Sequence, residues 1–270
     1  MPPATTDAAL SSLIAPLLDD PSAAAVLTDI DGTLAPIAQD PQQVAVPEGA
    51  RAVLAELSGR FAVVGCISGR RATEARELVG IEGIAYAGNH GLELLLPGDD
   101  EARLDPLLRD REDAAARFLS GLDGNGLAAA GLRAEDKGPI QALHWRGADD
   151  ERAAEGRARE IAAEAGREGL EPRWGRKVLE LRPAGGGGKE AAVGAMLAED
   201  GVSAAIYGGD DRTDIDAFRR LRELRDQGRL QTAVCVGVNS DEAPAELAEN
   251  ADLTVDGPAG WLAVLRALAG

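Results

Sequence analysis

A short apolar run that ends in two acids is the feature that most constrains this chain. Residues 23–27 contain no polar side chain, which is typical of a strand buried on both faces of a parallel sheet. Asp29 and Asp31 follow this run before Gly32-Thr33 ends the strand, so both acids are predicted at its carboxyl end, where open α/β sheets bind ligands. Because neighbouring carboxylates repel each other, the pair predicts an oxygen-liganded metal site with one carboxylate free to act as a nucleophile. An acidic turn that caps a helix is the alternative for this motif alone.

Composition and charge narrow the classes of function. The chain has 270 residues, of which 45% are hydrophobic and 3% aromatic. These values predict a globular protein with a large core, and they disfavour an aromatic platform for nucleic acid. A net charge of −18 makes nucleic acid and anionic membranes poor partners. Any phosphate site must therefore be a local pocket of cation, metal and backbone N–H groups.

Cysteine usage and segment lengths predict a cytoplasmic location. Cys66 and Cys235 lie in apolar segments without a C-x-x-C spacing, so buried, reduced thiols are expected. The first residues carry no basic leader, and no apolar run has membrane-spanning length. We therefore expect a soluble protein without a membrane partner.

The order of the apolar runs predicts an α/β fold with a doubly wound parallel sheet. Strands are predicted at residues 61–67 and 84–87, in alternation with helices at 47–57 and 71–79. The same alternation returns after Lys189. The segments predicted there are helices at 189–197, from Asp216 and from Gly260, and strands at 204–207, 232–238 and 253–255.

The pattern of apolar and polar residues changes between these two parts. Helices are predicted at residues 105–120 and 148–166, and residues 138–146 and 177–182 alternate as half-exposed strands. This pattern predicts a small α+β insert that returns to the core through a glycine hinge. The predicted organisation is a first part of the core at 1–103, the insert at 104–184 and a second part of the core at 185–270.

Four polar signals follow predicted strands or open predicted helices. They are the acids Asp29 and Asp31, the hydroxyl of Ser68, the ammonium of Lys189, and the acidic cluster of Asp210, Asp211 and Asp214. Because the carboxyl ends of parallel strands share one edge of a sheet, these signals predict a single catalytic edge. Taken one at a time they have simpler interpretations, with Ser68 as a helix cap, Lys189 as a surface lysine and Asp214 as the N-cap of the following helix.

This set resembles the core motifs of the haloacid dehalogenase (HAD) superfamily of phosphotransferases. The matching residues are Asp29-x-Asp31-Gly-Thr, Ser68, Lys189 and Gly209-Asp210-x-x-x-Asp214. The resemblance implies a HAD-like core with the insert as a cap. It also implies an aspartyl-phosphate mechanism with Asp29 as nucleophile and Asp31 as general acid and base. Ser68 and the backbone N–H of Gly69 would hold the phosphoryl oxygens, and Lys189 would neutralise charge on Asp29 and the phosphate.

The same resemblance implies a bound Mg²⁺ ion. Asp29, the backbone carbonyl of Asp31 and Asp210 would hold it. Asp214 would complete or orient this set of ligands, with help from Asp211.

Further segments resemble one family within that superfamily, the trehalose-6-phosphate phosphatases. The matching segments are Pro36-Ile37, 67–70 (Ile-Ser-Gly-Arg), 88–93 (Gly-Asn-His-Gly-Leu-Glu), 135–137 (Glu-Asp-Lys), 144–146 (His-Trp-Arg), 175–183 and 209–218. One departure is Ile215, at a position where the family usually has an acid. This change beside the metal cluster leaves the sugar preference open.

By this resemblance the insert is a mobile cap whose polar side chains bind the sugar. The expected sugar-binding residues are Glu135, Lys137 and Glu180 of the cap, with Arg70, Asn89 and His90 on the core side. Residues 135–137 have an alternative interpretation as a solvated turn before a strand, and His144 is expected to be structural.

The implied activity is Mg²⁺-dependent hydrolysis of trehalose 6-phosphate to trehalose and phosphate, with a functional link to a trehalose-phosphate synthase. One alternative is a phosphatase for another sugar phosphate, such as sucrose phosphate or glucosylglycerate phosphate. The other is a catalytically silent domain that binds sugar phosphate and regulates a synthase. Retention of Asp29 and Asp31 argues against a silent domain.

Overall fold

Two compact units make up the chain. The structure, a computed structural model, describes residues 7–38, 43–105, 108, 111, 113–175, 177–198, 201–240 and 243–270. One unit comprises Met1–Arg103 with Gly187–Gly270, and the other is Leu104–Gly186. The insert was predicted at 104–184, and the second unit by contacts runs from Leu104 to Gly186. Arg176, in the segment 175–183, lies outside the described residues.

Strands and helices alternate through most of the chain. The strands are β1 (Ala24–Thr28), β2 (Val63–Ile67), β3 (Ala85–Gly88), β4 (Glu93–Leu95), β5 (Arg103–Leu104), β6 (Arg133–Asp136), β7 (Gln141–His144), β8 (Leu170–Gly175), β9 (Val178–Pro183), β10 (Ala204–Gly209), β11 (Thr232–Asn239) and β12 (Leu253–Asp256). The α-helices are α1 (Asp7–Asp19), α2 (Glu48–Ser58), α3 (Ala72–Val79), α4 (Ala114–Ser120), α5 (Gly124–Ala129), α6 (Glu151–Arg167), α7 (Lys189–Met196), α8 (Arg212–Asp226), α9 (Ala245–Glu249) and α10 (Gly257–Ala269).

An eight-stranded sheet with the order β12-β11-β10-β1-β2-β3-β4-β5 organises the first unit. The strands from β12 to β3 run parallel, and β4 is antiparallel to β3. Strand β1 lies between β10 and β2, because Thr28 pairs with Gly208 on one side and Cys66 on the other. The predicted parallel α/β core is confirmed. The sequence analysis missed β4 and β5, which are too short to show a hydrophobic period.

Helices cover strand β1 on both faces. Ala24 and Val26 belong to an apolar cluster that includes side chains of α2 and α10. Ala25 and Leu27 belong to the opposite cluster, which includes side chains of α7 and α8. Because both faces are covered, the strand carries an unbroken apolar run instead of an alternating one. Burial of each larger side chain contributes roughly 1.5–3 kcal/mol.

Two helices begin earlier than predicted. Helix α8 begins at Arg212 instead of Asp216, because the carboxylate of Asp211 accepts hydrogen bonds from N–H groups of the first turn. Helix α10 begins at Gly257 instead of Gly260. The earlier start of α8 places the last acidic motif inside the first turn of a helix.

A four-stranded antiparallel sheet with the order β6-β7-β9-β8 forms the second unit. One face carries Leu143, Leu179 and Leu181, which cluster with apolar side chains of α4, α5 and α6. The cluster fixes this face as the apolar one, so neighbouring positions along each strand point to the other face.

The prediction for this unit was incomplete. Strands β6 and β8 were missed because β6 (Arg-Ala-Glu-Asp) is exposed throughout and β8 contains Pro172 and Gly175, residue types that are depleted in strands. The helix predicted over 105–120 is an α-helix only from Ala114 to Ser120, and residues 106, 107, 109, 110 and 112 lie outside the described part of the chain.

Both cysteines are buried free thiols, as expected. Burial raises the pKa of Cys66, and it raises the pKa of Cys235 to about 12. Among the described residues, no helix combines the length and the apolar character needed to cross a bilayer.

Candidate active site

A tight turn holds the two acids at the end of β1. The N–H of Asp29 donates to Gly208 O at 2.9 Å, which extends the pairing of β1 with β10 by one residue. The N–H of Ala35 then donates to Ile30 O at 2.9 Å and closes the turn. Asp29 is 5% exposed as a result, whereas the side chain of Asp31 is half-buried.

The backbone of the first motif packs against an acidic side chain of the last motif. Gly32 has a φ of +95°, and a Cβ at this position would lie 2.1 Å from Asp210 Oδ2. Only glycine satisfies both conditions. Next to it, Thr33 Oγ1 donates to Asp210 Oδ1 at 2.8 Å. Residues far apart in sequence are thereby fixed within one small site.

Three buried carboxylates meet at this edge of the sheet. Asp29, Asp210 and Asp214 offer oxygen atoms that lie within 4.8 Å of one another. Their exposed fractions are 5%, 4% and 0%, respectively. Asp210 follows β10, and Asp214 lies in the first turn of α8. The structure therefore brings these three predicted residues together.

The carboxylate of Asp214 accepts hydrogen bonds from four donors. Lys189 Nζ at 2.7 Å and the Tyr207 hydroxyl at 2.6 Å bind Oδ1. The N–H groups of Asp210 and Asp211, each at 3.0 Å, bind Oδ2. The N-cap of α8 is Asp211, and Asp214 completes the capping box three residues later. The interpretation of Asp214 as the N-cap is therefore wrong.

Lys189 is the first residue of α7 and points into this cluster. Its Nζ lies 3.0 Å from Asp29 Oδ1 and 2.7 Å from Asp214 Oδ1. The residue is 2% exposed, which rules out the interpretation as a surface lysine. A buried ammonium between two buried carboxylates gains Coulomb energy that offsets part of its desolvation cost.

Burial has the largest influence on the electrostatics of the cluster. It raises the pKa of Asp29 and of Asp210, and it raises the pKa of Asp214 to about 7, while Lys189 opposes each shift. Burial acts to lower the pKa of Lys189, but Asp214 and Asp29 outweigh it, and the net shift is well upward. Lys189 therefore keeps its charge.

One ammonium thus faces three carboxylates. Among the residues that the structure describes, Lys189 is the basic side chain that pairs with these acids. Asp29, Asp210 and Asp214 are hard oxygen donors in a buried site with excess negative charge. This donor set fits a divalent cation.

Two further residues near the last motif, Asp211 and Ile215, make contacts that support the fold. Asp211 Oδ1 accepts from the N–H and the hydroxyl of Thr213, each at 2.7 Å, and lies 4.0 Å from Lys189 Nζ. Burial acts to raise the pKa of Asp211, but Lys189 and Thr213 outweigh it and lower the pKa. Ile215 is 4% exposed and belongs to an apolar cluster, so its side chain contributes to packing.

A loop after β2 reaches Asp31. Arg70 donates to both carboxylate oxygens of Asp31, from Nε at 2.8 Å and from Nη2 at 2.6 Å. Ser68 is 1% exposed, and its Oγ accepts the N–H of Arg70 at 3.2 Å. Helix α3 begins at Ala72 with Arg71 as its N-cap, so Ser68 does not cap this helix.

The loop after β3 supports the loop after β2. Asn89 and His90 adopt left-handed φ angles of 50° and 58°. The N–H of Asn89 donates to Arg70 O at 2.7 Å, and the N–H of His90 donates to Ser68 O at 2.9 Å. The imidazole lies against Gly69, where a Cβ would be 2.7 Å from the ring. Left-handed backbone costs of the order of 1–3 kcal/mol per residue, which these hydrogen bonds offset.

The sequence analysis missed three side chains that support the site. Tyr207 binds Asp214, Thr33 binds Asp210, and Glu93 Oε2 accepts the N–H of Ala72 at the start of α3 at 2.9 Å. Thr33 is the last residue of the first motif, Glu93 ends the segment 88–93, and Tyr207 lies two residues before Gly209, so each had a sequence signal. Which groups these side chains bind is seen only in the folded structure.

Two of the three predicted sugar-binding residues lie on the sheet of the second unit, and the third, Lys137, directly follows strand β6. Ala142 pairs with Glu135 on one side and with Glu180 on the other, so both carboxylates project from the same face. Lys137 Nζ lies 2.8 Å from Glu180 Oε1. Glu135 belongs to strand β6, so the interpretation of this segment as a solvated turn is wrong for that residue.

His144 is joined to this group. Its Nε2 lies 2.6 Å from Glu135 Oε2, and the side chain is partly exposed. The residue is thus hydrogen-bonded to a predicted sugar-binding carboxylate, a role that the sequence analysis did not propose.

Comparison with known proteins identifies the family. The family described as trehalose-phosphatase matches residues 27–256. The chain is 33% identical over 247 residues to a trehalose-phosphate phosphatase of Mycolicibacterium paratuberculosis, which covers 83% of this chain. The chain belongs to the trehalose-phosphatase family. It spans 61% of the length of that relative.

Solved structures place this member of the trehalose-phosphatase family in the HAD fold. The C-terminal domain of a Candida albicans trehalose-6-phosphate phosphatase matches with a TM-score of 0.77 and 21% identity, covering 99% of this chain and 98% of that chain. The C-terminal domain of a Candida albicans trehalose synthase regulatory protein matches with a TM-score of 0.68 and 12% identity, covering 94% and 97%. At these identities the likeness is one of fold.

Replacement of Gly32 tests the close packing of the first motif on Asp210. Gly32→Ala should lower the free energy of unfolding, because it adds backbone strain of about 1 kcal/mol and a clash that costs a further ~1–3 kcal/mol. Gly98→Ala is the matched control, since Gly98 has a φ of +86° and no atom within 4 Å of the added Cβ. Urea unfolding measures both losses. Equal losses would contradict the packing of Gly32 on Asp210.

Proposed function

We propose that this chain is a Mg²⁺-dependent phosphatase that hydrolyses trehalose 6-phosphate to trehalose and phosphate through phosphorylation of Asp29. The observation that carries the proposal is the buried cluster of Asp29, Asp210 and Asp214 around Lys189, at the edge of a parallel sheet. Membership of the trehalose-phosphatase family supports the choice of substrate.

The reaction proceeds in two displacements on phosphorus. A carboxylate oxygen of Asp29 attacks the phosphorus atom, and the bond between phosphorus and the sugar oxygen breaks. Asp31 donates a proton to the departing sugar oxygen, so trehalose leaves as a neutral alcohol. Asp31 then accepts a proton from a water molecule that attacks the phosphoaspartate. Inorganic phosphate leaves and Asp29 is regenerated.

Asp29, the backbone carbonyl of Asp31 and Asp210 would hold the Mg²⁺ ion. When bound, the ion shields the approach of one anion to another and stabilises charge on the phosphoryl oxygens. Asp214 orients this group of ligands, because it holds the N–H groups of Asp210 and Asp211.

The remaining core residues act on the phosphoryl group and on Asp31. Ser68 and the N–H of Gly69 hold phosphoryl oxygens, and Lys189 neutralises charge on Asp29 and on the transferring group. Arg70 binds both oxygens of Asp31 in the absence of substrate, so one of these hydrogen bonds must open before Asp31 carries the proton that it gives to the sugar oxygen. Asn89 and His90 support this loop and provide polar groups for the substrate.

The second unit provides sugar recognition. Glu135 and Glu180 project from one face of its sheet, and Lys137 pairs with Glu180. Carboxylates accept hydrogen bonds from sugar hydroxyls, and an ammonium donates to them, so the trio suits a disaccharide rich in hydroxyl groups. A trehalose-phosphate synthase would supply the substrate.

A panel of sugar phosphates tests the function directly. We expect phosphate release from trehalose 6-phosphate to exceed release from sucrose phosphate and glucosylglycerate phosphate, and a chelator should abolish it until Mg²⁺ is restored. Preference for another sugar would move the substrate assignment but keep the chemistry. No release from any member of the panel would favour a silent sugar-phosphate-binding domain instead.

Asp29→Asn tests the nucleophile. The amide cannot form the phosphoaspartate, so turnover should fall by about 10³-fold or more. The free energy of unfolding should not fall, since one of three crowded carboxylates loses its charge. Asp252→Asn is the control, because Asp252 pairs with Arg222 and the N–H of Cys235 away from the proposed chemistry. It should lose stability and keep kcat. Normal turnover by Asp29→Asn would refute the assignment.

Glu180→Ala tests sugar recognition by the second unit. Activity on trehalose 6-phosphate should fall about 10- to 100-fold, because the sugar loses a charged hydrogen-bond partner. Activity on p-nitrophenyl phosphate, which has no sugar, should change little. Glu171→Ala is the control on the neighbouring strand, where Glu171 is paired with Arg173. Equal losses of Glu180→Ala on both substrates would count against a sugar-binding role.

A further inference from the structure

The hydroxyl group of Tyr207 is a buried polar group next to the proposed chemistry. Tyr207 lies in β10 and is 0% exposed. Its hydroxyl donates to Asp214 Oδ1 at 2.6 Å. A phenylalanine would fill the same space, so packing alone does not explain a tyrosine at this position.

Tyr207 shares its acceptor atom with Lys189. The Lys189 ammonium donates to the same Oδ1 of Asp214 at 2.7 Å and reaches Asp29 Oδ1 at 3.0 Å. The four groups therefore form a hydrogen-bonded series that runs from the Tyr207 hydroxyl through Asp214 and Lys189 to Asp29. One carboxylate oxygen of Asp214 thus accepts two hydrogen bonds, and the ammonium of Lys189 is shared by the carboxylates of Asp214 and Asp29.

Packing holds the side chain of Tyr207, the first donor of this hydrogen-bonded series, in place. Tyr207 pairs in register with Leu27 of β1 and with Cys235 of β11, so its backbone lies in the middle of the sheet. Its ring meets Phe218 edge to face, with centroids 5.9 Å apart and an interplanar angle of 79°. Phe218 lies one turn after Asp214 in α8, so the helix that carries the acceptor also holds the ring of the donor.

We propose that Tyr207 is a positioning residue for phosphoryl transfer, whose hydroxyl binds Asp214 so that Lys189 remains shared between Asp214 and Asp29. Without the hydroxyl, Oδ1 of Asp214 has Lys189 as its remaining donor, and a buried carboxylate binds its remaining partner more strongly. The ammonium is then drawn toward Asp214 and away from Asp29 and the phosphoryl group. This inference rests on the proposed function.

The two tyrosines of the chain allow a matched comparison. Tyr86 is also 0% exposed, and its hydroxyl donates to Ile81 O at 2.6 Å, outside the acidic cluster. Tyr207→Phe and Tyr86→Phe each delete one buried hydroxyl and one hydrogen bond of equal length. Both should lower the melting temperature, and Tyr207→Phe should lower it more, because its hydrogen bond to a carboxylate is charge-assisted. Their effects on the reaction should differ.

For Tyr207→Phe we expect kcat on trehalose 6-phosphate to fall about tenfold, which corresponds to about 1.4 kcal/mol. KM should stay within about twofold, because Tyr207 does not contact the sugar in this proposal. The inhibition constant of orthovanadate, a mimic of the transferring phosphoryl group, should rise about tenfold. The inhibition constant of trehalose should not change. Tyr86→Phe should leave all four quantities near their wild-type values.

A third variant separates positioning from packing. In Tyr207→4-aminophenylalanine the para position keeps an N–H donor, so kcat and orthovanadate affinity should recover most of the loss. The inference is overturned if Tyr207→Phe behaves like Tyr86→Phe in kcat and orthovanadate affinity. It is also overturned if both variants lose activity equally, or if the amino variant shows no recovery.

Failure of the positioning role of Tyr207 can be distinguished from failure of the proposed function. If the wild-type protein hydrolyses no sugar phosphate, the proposed function fails. Orthovanadate binding, measured by calorimetry in the presence of Mg²⁺, still compares Tyr207→Phe with Tyr86→Phe. A tenfold difference between them supports the positioning role, and equal affinities refute it.

Discussion

The pairing of one buried ammonium with crowded buried carboxylates is the interaction on which the site depends. Lys189 lies 3.0 Å from Asp29 and 2.7 Å from Asp214, and Asp210 completes an acidic group held within 4.8 Å. Burial of unpaired charge is among the most costly events in folding, so such a group persists only where each oxygen has partners. Asp214 meets this condition with four donors, which makes it the anchor of the group. The remaining excess of negative charge is what suits the site to a divalent cation, and a bound cation would in turn offset the charge of a phosphoryl group.

The sheet supplies the rigidity that this arrangement needs. Strand β1 is buried on both faces and paired on both edges, so the position of Asp29 is fixed by hydrogen bonds to β10. Close backbone approach at Gly32 brings the turn after β1 against Asp210. The loops after β2 and β3 are joined by backbone hydrogen bonds of 2.7 and 2.9 Å, which place Arg70 on Asp31. The side chains of the candidate site are therefore held by short loops and by the first turns of helices on a stiff sheet, as is usual in open α/β proteins.

The second unit carries its polar residues on one face of an antiparallel sheet. Its antiparallel strands place apolar side chains on one face and charged side chains on the other, as a two-sided sheet with one solvated face requires. Glu135 and Glu180 share the polar face and are already paired with His144 and Lys137. Partners of this kind hold long side chains in place before a ligand arrives, which lowers the entropy cost of binding. This polar face with paired charges supports the sugar recognition that we propose for the second unit.

The sequence by itself determined the class of the core and placed Asp29, Asp210 and Asp214 at one edge, because strand burial and strand ends leave local signals. It did not separate these three from Asp31, which Arg70 binds, or from Asp211, which caps α8. An unbroken apolar run marks a strand covered on both faces, and acids placed just after such runs must meet at one edge of a parallel sheet. Strands β6 and β8 left no such signal, because β6 is exposed throughout and β8 has a single buried apolar residue, Leu170, followed by charged residues, Pro172 and Gly175. The tertiary structure alone decided the partners: Gly32 against Asp210, Arg70 on Asp31 and Tyr207 on Asp214. These contacts join positions whose proximity depends on the packing of the whole chain, and hydrogen-bond geometry at 2.6–3.0 Å is not encoded in any local pattern.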